Sequence, residues 1–147
     1  MSDPRLYLKF HLANRALVNL VDAVMMEAVE VPSAQVAVMH LIAANPSSSP
    51  MDIAKVLNLQ KSAVSGLLQR LEKRGLIERL DDPQDGRKTR LQLTADGEQS
   101  RAIAMEETER LNTEVVEGFS EEELAVVHRF LDHLVQTYGR YAPRPEQ

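Results

Sequence analysis

The chain has 147 residues, 44% of them hydrophobic and 27% charged, with a net charge of -5 at neutral pH. This is enough for one domain-sized core, and the balance is too ordinary for a disordered or fibrous chain. There is no cysteine, which excludes disulfides, thiolate metal sites and thiol oxidation switches; no apolar run nears about 18 residues and no basic-then-apolar leader pattern is present, so the expected location is the cytoplasm, with no membrane contact.

Leu6, Phe10, Ala13, Leu17, Val21, Val24 and Ala28 step by three and four residues, which predicts one helix ending near Pro32. A polar loop follows from Asn45 to Pro50. Ser49-Pro50-Met51-Asp52 then announces a helix, with a cap hydroxyl, a proline at the first helical position and a carboxylate in the first turn. Its expected apolar face is Ile53, Val56 and Leu57. Asn58 tolerates the left-handed conformation, so the chain is expected to reverse over Asn58-Leu59-Gln60 and enter a second helix near Lys61. In that helix Val64, Leu67, Leu68 and Leu71 form an apolar stripe, while Lys61, Ser62, Ser65, Gln69 and Arg70 face solvent with hydrogen-bonding groups suited to base edges. Gly66 costs this helix about 1 kcal/mol relative to alanine.

Lys73, Arg74 and Gly75 mark the end of the second helix, with cations opposing the helix dipole and a glycine free to take positive φ. Leu76 to Leu80 and Thr89 to Leu93 are short alternating runs around a charged turn, Asp81-Asp82-Pro83-Gln84-Asp85-Gly86-Arg87-Lys88, which predicts a β-hairpin. Leu91 and Leu93 are expected to pack inward and Arg90 to be exposed. The tip carries Arg87 and Lys88, which a hairpin projects into a groove that the helix leaves empty. Thr94 caps a long polar helix running to about Gly118. Ser120 and Glu123 form a capping box ahead of a stripe of Leu124, Val127, Leu131, Leu134, Val135 and Tyr138.

The fold class that these elements define is mainly α with a small β-hairpin wing, a winged helix-turn-helix flanked by N- and C-terminal helices. The charge is divided accordingly. Residues 51–97 hold nine Lys and Arg against seven Asp and Glu, whereas the remainder holds eight against fifteen. A local basic patch on an acidic body attracts phosphate with a fixed orientation.

Asp85-Gly86-Arg87-Lys88-Thr89-Arg90-Leu91-Gln92-Leu93-Thr94 resembles the wing of the multiple antibiotic resistance regulator (MarR) family: an Asp, one residue, an Arg, five residues, then Leu-Thr. Leu71-Glu72-Lys73-Arg74-Gly75-Leu76-Ile77 is similar to that family's exit from its recognition helix. The resemblance implies a single domain over 1–147, with a winged helix-turn-helix DNA-binding region at 33–97 and dimerisation helices at 1–31 and 98–141. It implies a cytoplasmic homodimer that binds a pseudo-palindromic double-stranded DNA operator and regulates transcription as a ligand-responsive repressor. Read from the residues alone, the two terminal stripes either cover the winged core of one monomer or pair with a second copy. The second reading is favoured because a small winged domain needs little covering and a palindrome requires two-fold symmetry.

Each subunit is then expected to place the helix from Lys61 to Arg74 in a major groove, with Gln60, Lys61, Ser62, Ala63, Ser65, Gln69 and Arg70 near bases and phosphates. Arg87 is assigned to the minor groove, with Asp85 orienting its guanidinium, and Lys88 and Arg90 to flanking phosphates. The family's effectors, small aromatic or phenolic anions, direct attention to His11, Arg15 and His40, with Met25, Met26 and Met39 as adaptable apolar contacts. A cation at Arg15 within an apolar stripe requires an anionic partner, for which Asp22 or Glu27 of a second copy also serves.

No cofactor or resident metal is expected. His128 and Asp132 lie four residues apart with His133 adjacent, a pair that surface helices often carry without binding metal. No nucleophile with a base, phosphate-cradling glycine loop or paired-carboxylate pattern appears, so no enzymatic activity is expected. The competing class is a winged-helix protein-interaction module, and the cationic Arg87, Lys88 and Arg90 argue against it, because protein-binding faces favour aromatic and aliphatic anchors. Arg87→Ala is expected to weaken operator binding strongly in a gel-shift titration while leaving the dimer intact; unchanged affinity refutes the assignment.

Overall fold

The structure, a computed structural model, describes residues 5–81, 84–85 and 89–139. In chain order it comprises α1 (Leu6–Val29), α2 (Ser33–Ala44), α3 (Pro50–Leu57), α4 (Lys61–Lys73), β1 (Ile77–Asp81), β2 (Thr89–Leu93), α5 (Ala95–Val115) and α6 (Glu121–Tyr138). The core gathers Val36, Val38, Met39 and Ile42 of α2, Ile53 and Ala54 of α3, Val64, Leu67, Leu68 and Leu71 of α4, and Ile77, Leu91 and Leu93 of the hairpin. Met25 closes it from α1 and Ala104 from α5.

Local capping explains most boundaries. At α3 the Ser49 hydroxyl accepts the Asp52 amide at 3.2 Å while the Asp52 carboxylate accepts the Ser49 amide at 2.9 Å, with Pro50 opening the helix. The same reciprocal box joins Ser120 and Glu123 at the start of α6. Asn58 ends α3 at φ 51° in the left-handed region, so the helix-turn-helix reverses where the sequence predicts. The start of α2 differs, since its N-cap is Pro32 and has no side-chain acceptor. Asp22, eleven residues upstream on α1, supplies it instead by accepting the Ser33 amide at 2.8 Å.

Two expectations are corrected. Val56 is 66% exposed, and Ala54 is buried in its place. At 3.6 residues per turn Val56 points about 100° away from the centre of the Ile53, Ala54 and Leu57 stripe that faces the core. Arg90 is half-buried, not exposed. It lies directly across the hairpin from Leu80, a position where cross-strand neighbours approach closely enough to shield an arginine stem.

The end of α4 is a Schellman turn. Gly75, at φ +70°, donates its amide to the Glu72 carbonyl at 2.9 Å, and Leu76 donates to the Leu71 carbonyl at 3.0 Å. The hairpin returns to the same point. The Thr94 amide donates to the Leu76 carbonyl at 3.1 Å, and its hydroxyl donates to the Gly75 carbonyl at 2.6 Å while accepting the Gly97 amide at 3.1 Å. A Cβ on Gly97 would lie 2.0 Å from the Leu76 oxygen, so only glycine fits the first turn of α5 here. The clash is with backbone and has no cheap relief. Gly97→Ala is therefore expected to destabilise the fold by at least about 2 kcal/mol in urea unfolding followed by circular dichroism.

Candidate nucleic-acid interface

Helix α4 is divided lengthwise. Val64, Leu67, Leu68 and Leu71 are buried, while Lys61, Ser62, Ala63, Ser65, Gln69 and Arg70 are exposed on the other side. Gln60 stands at the N-cap, half-buried, and makes no side-chain cap bond to the first-turn amides. Gly66 lies between the faces, and a Cβ there would meet only the tip of Arg70 at 3.8 Å. Packing therefore does not demand glycine at this position. Six of the seven residues singled out here from the sequence are thus displayed on one short helix whose apolar side is fixed in the core, with Gln60 at its N-cap.

The wing is an antiparallel pair in register Ile77↔Leu93, Glu78↔Gln92, Arg79↔Leu91, Leu80↔Arg90 and Asp81↔Thr89. Asp85 is half-buried ahead of the second strand. Arg87 and Lys88 lie outside the described residues. The sequence reading missed a side-chain bond between the two halves of this face: the Arg79 guanidinium of β1 grips the Glu72 carboxylate of α4, through Nε at one oxygen and Nη2 at the other. No periodic pattern signals a helix-to-strand pair seven residues apart.

The three effector candidates lie on two helices, α1 and α2. His11 and Arg15 sit in a stretch of α1, from 11 to 20, that is exposed throughout. His40 is half-buried on α2 beside Arg101 of α5, which also pairs with Glu98 at 3.1 Å. Four open grooves on the surface of α1, α5 and α6 are lined by other residues, among them Glu27, Glu107, Arg110 and Arg129. Asp22, one of the anions considered for Arg15, is engaged at the start of α2. His128, Asp132 and His133 share one such groove on α6, and among the described residues no group of three or more His, Asp or Glu is placed to hold a metal. Nor is any described helix long and apolar enough to cross a membrane.

These features define a winged helix-turn-helix protein: a two-helix reading unit, a hairpin wing at its base and long helices outside. Residues 30–88 match the model of the MarR family. The transcriptional regulator HosA of Escherichia coli O111:H- is 34% identical over 89 residues, which is 60% of this chain and 66% of that protein, just under two thirds of the relative's own length. Among solved structures, the Staphylococcus aureus MepR-DNA complex superposes with a TM-score of 0.80 at 24% identity, covering 92% of this chain and 99% of that one. PcaV of Streptomyces coelicolor, solved with its natural ligand, gives a TM-score of 0.74 at 25% identity, covering 92% and 97%. Over residues 30–88 the chain is thus similar to the MarR family.

Burial first, and the Arg101 cation second, hold His40 below the usual histidine pKa of 6.5. The unfolded chain therefore takes up this proton before the folded one does. The stabilising contribution of neutral His40 is present above about pH 6.5 and is lost as the pH falls through its lowered folded value. Urea melts at pH 7.5 and 5.5 are expected to show the acid form as less stable, with His40→Gln flattening that difference.

Proposed function

We propose that this chain is a sequence-specific DNA-binding transcriptional regulator that acts as a homodimer. The observation that carries the reading is the exposed polar face of α4, held rigid by its buried stripe and offering Lys61, Ser62, Ala63, Ser65, Gln69 and Arg70 to a major groove. The first-turn amides of α4, which receive no side-chain cap bond from Gln60, suit a backbone phosphate. Arg87 enters the adjacent minor groove with Asp85 orienting it, and Lys88 and Arg90 meet phosphates.

The homodimer reading rests on what the chain leaves uncovered. No residue of α6 is buried and Met25 is the one buried residue of α1, while Leu12, Leu17, Leu131 and Val135 remain exposed. Such faces are too apolar to stand in water, and a second copy covers them. The terminal segments 1–31 and 98–141 thus serve dimerisation and 33–97 reads DNA. Two-fold symmetry sets the α4 helices about 34 Å apart on a pseudo-palindromic operator. A small aromatic or phenolic anion near Arg15, His11 and His40 relieves repression by changing that spacing, in the cytoplasm. The PcaV structure, which shares the fold and was solved with its natural ligand, supports a small-molecule effector.

The test is a fluorescence anisotropy titration with duplex fragments from beside the chain's own gene, across salt concentrations, with sedimentation to fix the stoichiometry. Sequence-dependent binding by two copies, its logarithm falling steeply with log salt, is the expected outcome. Weak binding indifferent to sequence overturns the reading.

A further inference from the structure

We infer that Glu72 and Arg79 are a positioning pair that fixes the angle of the wing to the recognition helix, so that α4 and the wing tip reach DNA as one rigid body. The inference rests on the DNA-binding reading for its consequence and on geometry for its cause. Directly opposed residues of an antiparallel pair share a face, so Arg79, opposite Leu91, lies on the side of the hairpin that carries buried Ile77, Leu91 and Leu93. An arginine occupies a position where the alternation calls for an apolar residue. Its guanidinium reaches back to α4 and meets the Glu72 carboxylate side-on, with two nitrogens on two oxygens.

That placement matters because the outer part of the hairpin has little else to hold it. A two-stranded sheet is marginal alone, and beyond Ile77 every residue of β1 is exposed. The apolar anchors sit at the base of the wing, in Leu76, Ile77, Leu91 and Leu93. Level with Leu91, the outermost of these anchors, the fork to Glu72 resists swinging of the strands against α4. A partly exposed ion pair contributes little to folding stability. Its geometric effect is larger, because a fork admits one orientation where a lysine ammonium admits many. A wing free to swing must lose that freedom on binding, which lowers affinity without removing any DNA contact.

The absence of native cysteine permits a direct test. Spin labels at Ser65→Cys and Gln92→Cys, both exposed, report the α4-to-wing distance by pulsed electron resonance without DNA. Glu72→Gln and Arg79→Lys are each expected to broaden a narrow parent distribution, with the melting temperature within about 3 °C of the parent. Each should also weaken operator binding about tenfold while leaving a scrambled duplex and the salt slope unchanged. Exchanging the partners, Glu72→Arg with Arg79→Glu, should restore both readouts. An unbroadened distribution overturns the proposal. So does a silent Arg79→Lys together with a Glu72→Gln that tightens both duplexes, since Arg79 is then a plain phosphate contact. If the parent binds no duplex, the DNA reading fails, and the label distances still decide whether the pair holds the wing.

Discussion

The close approach of Gly97 to the Leu76 carbonyl is the constraint on which the rest of the molecule depends. At this point α4 has just ended in its Schellman turn, the hairpin has begun and returned, and α5 starts. Thr94 bonds to both Gly75 and Leu76 and receives the Gly97 amide, so three elements share one set of backbone groups. Buried backbone donors and acceptors must be paired, and here each pairing also fixes a direction. The reading helix, the wing base and the long outer helix therefore move as a unit.

Around this joint the chain divides into a region that closes its own core and a region that does not. From Val31 to Leu93 the apolar residues of α2, α3, α4 and the hairpin find one another. The outer helices leave much of their apolar surface uncovered, including Leu12, Leu17, Leu131 and Val135. One aromatic contact, Phe10 with Phe130 at 5.4 Å, links α1 to α6. The charge follows the same division, with the cationic excess on the reading unit and the acidic residues elsewhere. A fold with a finished head and unfinished arms suits symmetric pairing, where the arms meet their counterparts and the heads point to one side.

What the sequence made legible was local chemistry. The Ser49 and Ser120 boxes, the left-handed Asn58, the positive φ of Gly75 and the cap at Thr94 depend on residues within three or four positions of one another. The apolar stripe of α4 is equally local, being a matter of helical period. The places where the reading fell short are those where a neighbour distant along the helix face or across the hairpin decides. Val56 has the spacing of a core residue and lies off the buried stripe, because an eight-residue helix presents one narrow face to α4. Arg90 has the alternation of a solvent residue and is half-buried, opposite Leu80 across the hairpin.

The sequence by itself thus determined the types and approximate ends of every element but α2, the inward packing of Leu91 and Leu93, and the residues of α4 that face outward. It did so because hydrogen-bond capping and apolar periodicity act over one or two turns of chain. Only the tertiary structure decided that Asp22 caps α2 from another helix, that Gly97 must lack a side chain, and that Glu72 and Arg79 join helix to wing. Those contacts arise where separate elements meet, and their geometry is set by packing, which no local pattern encodes.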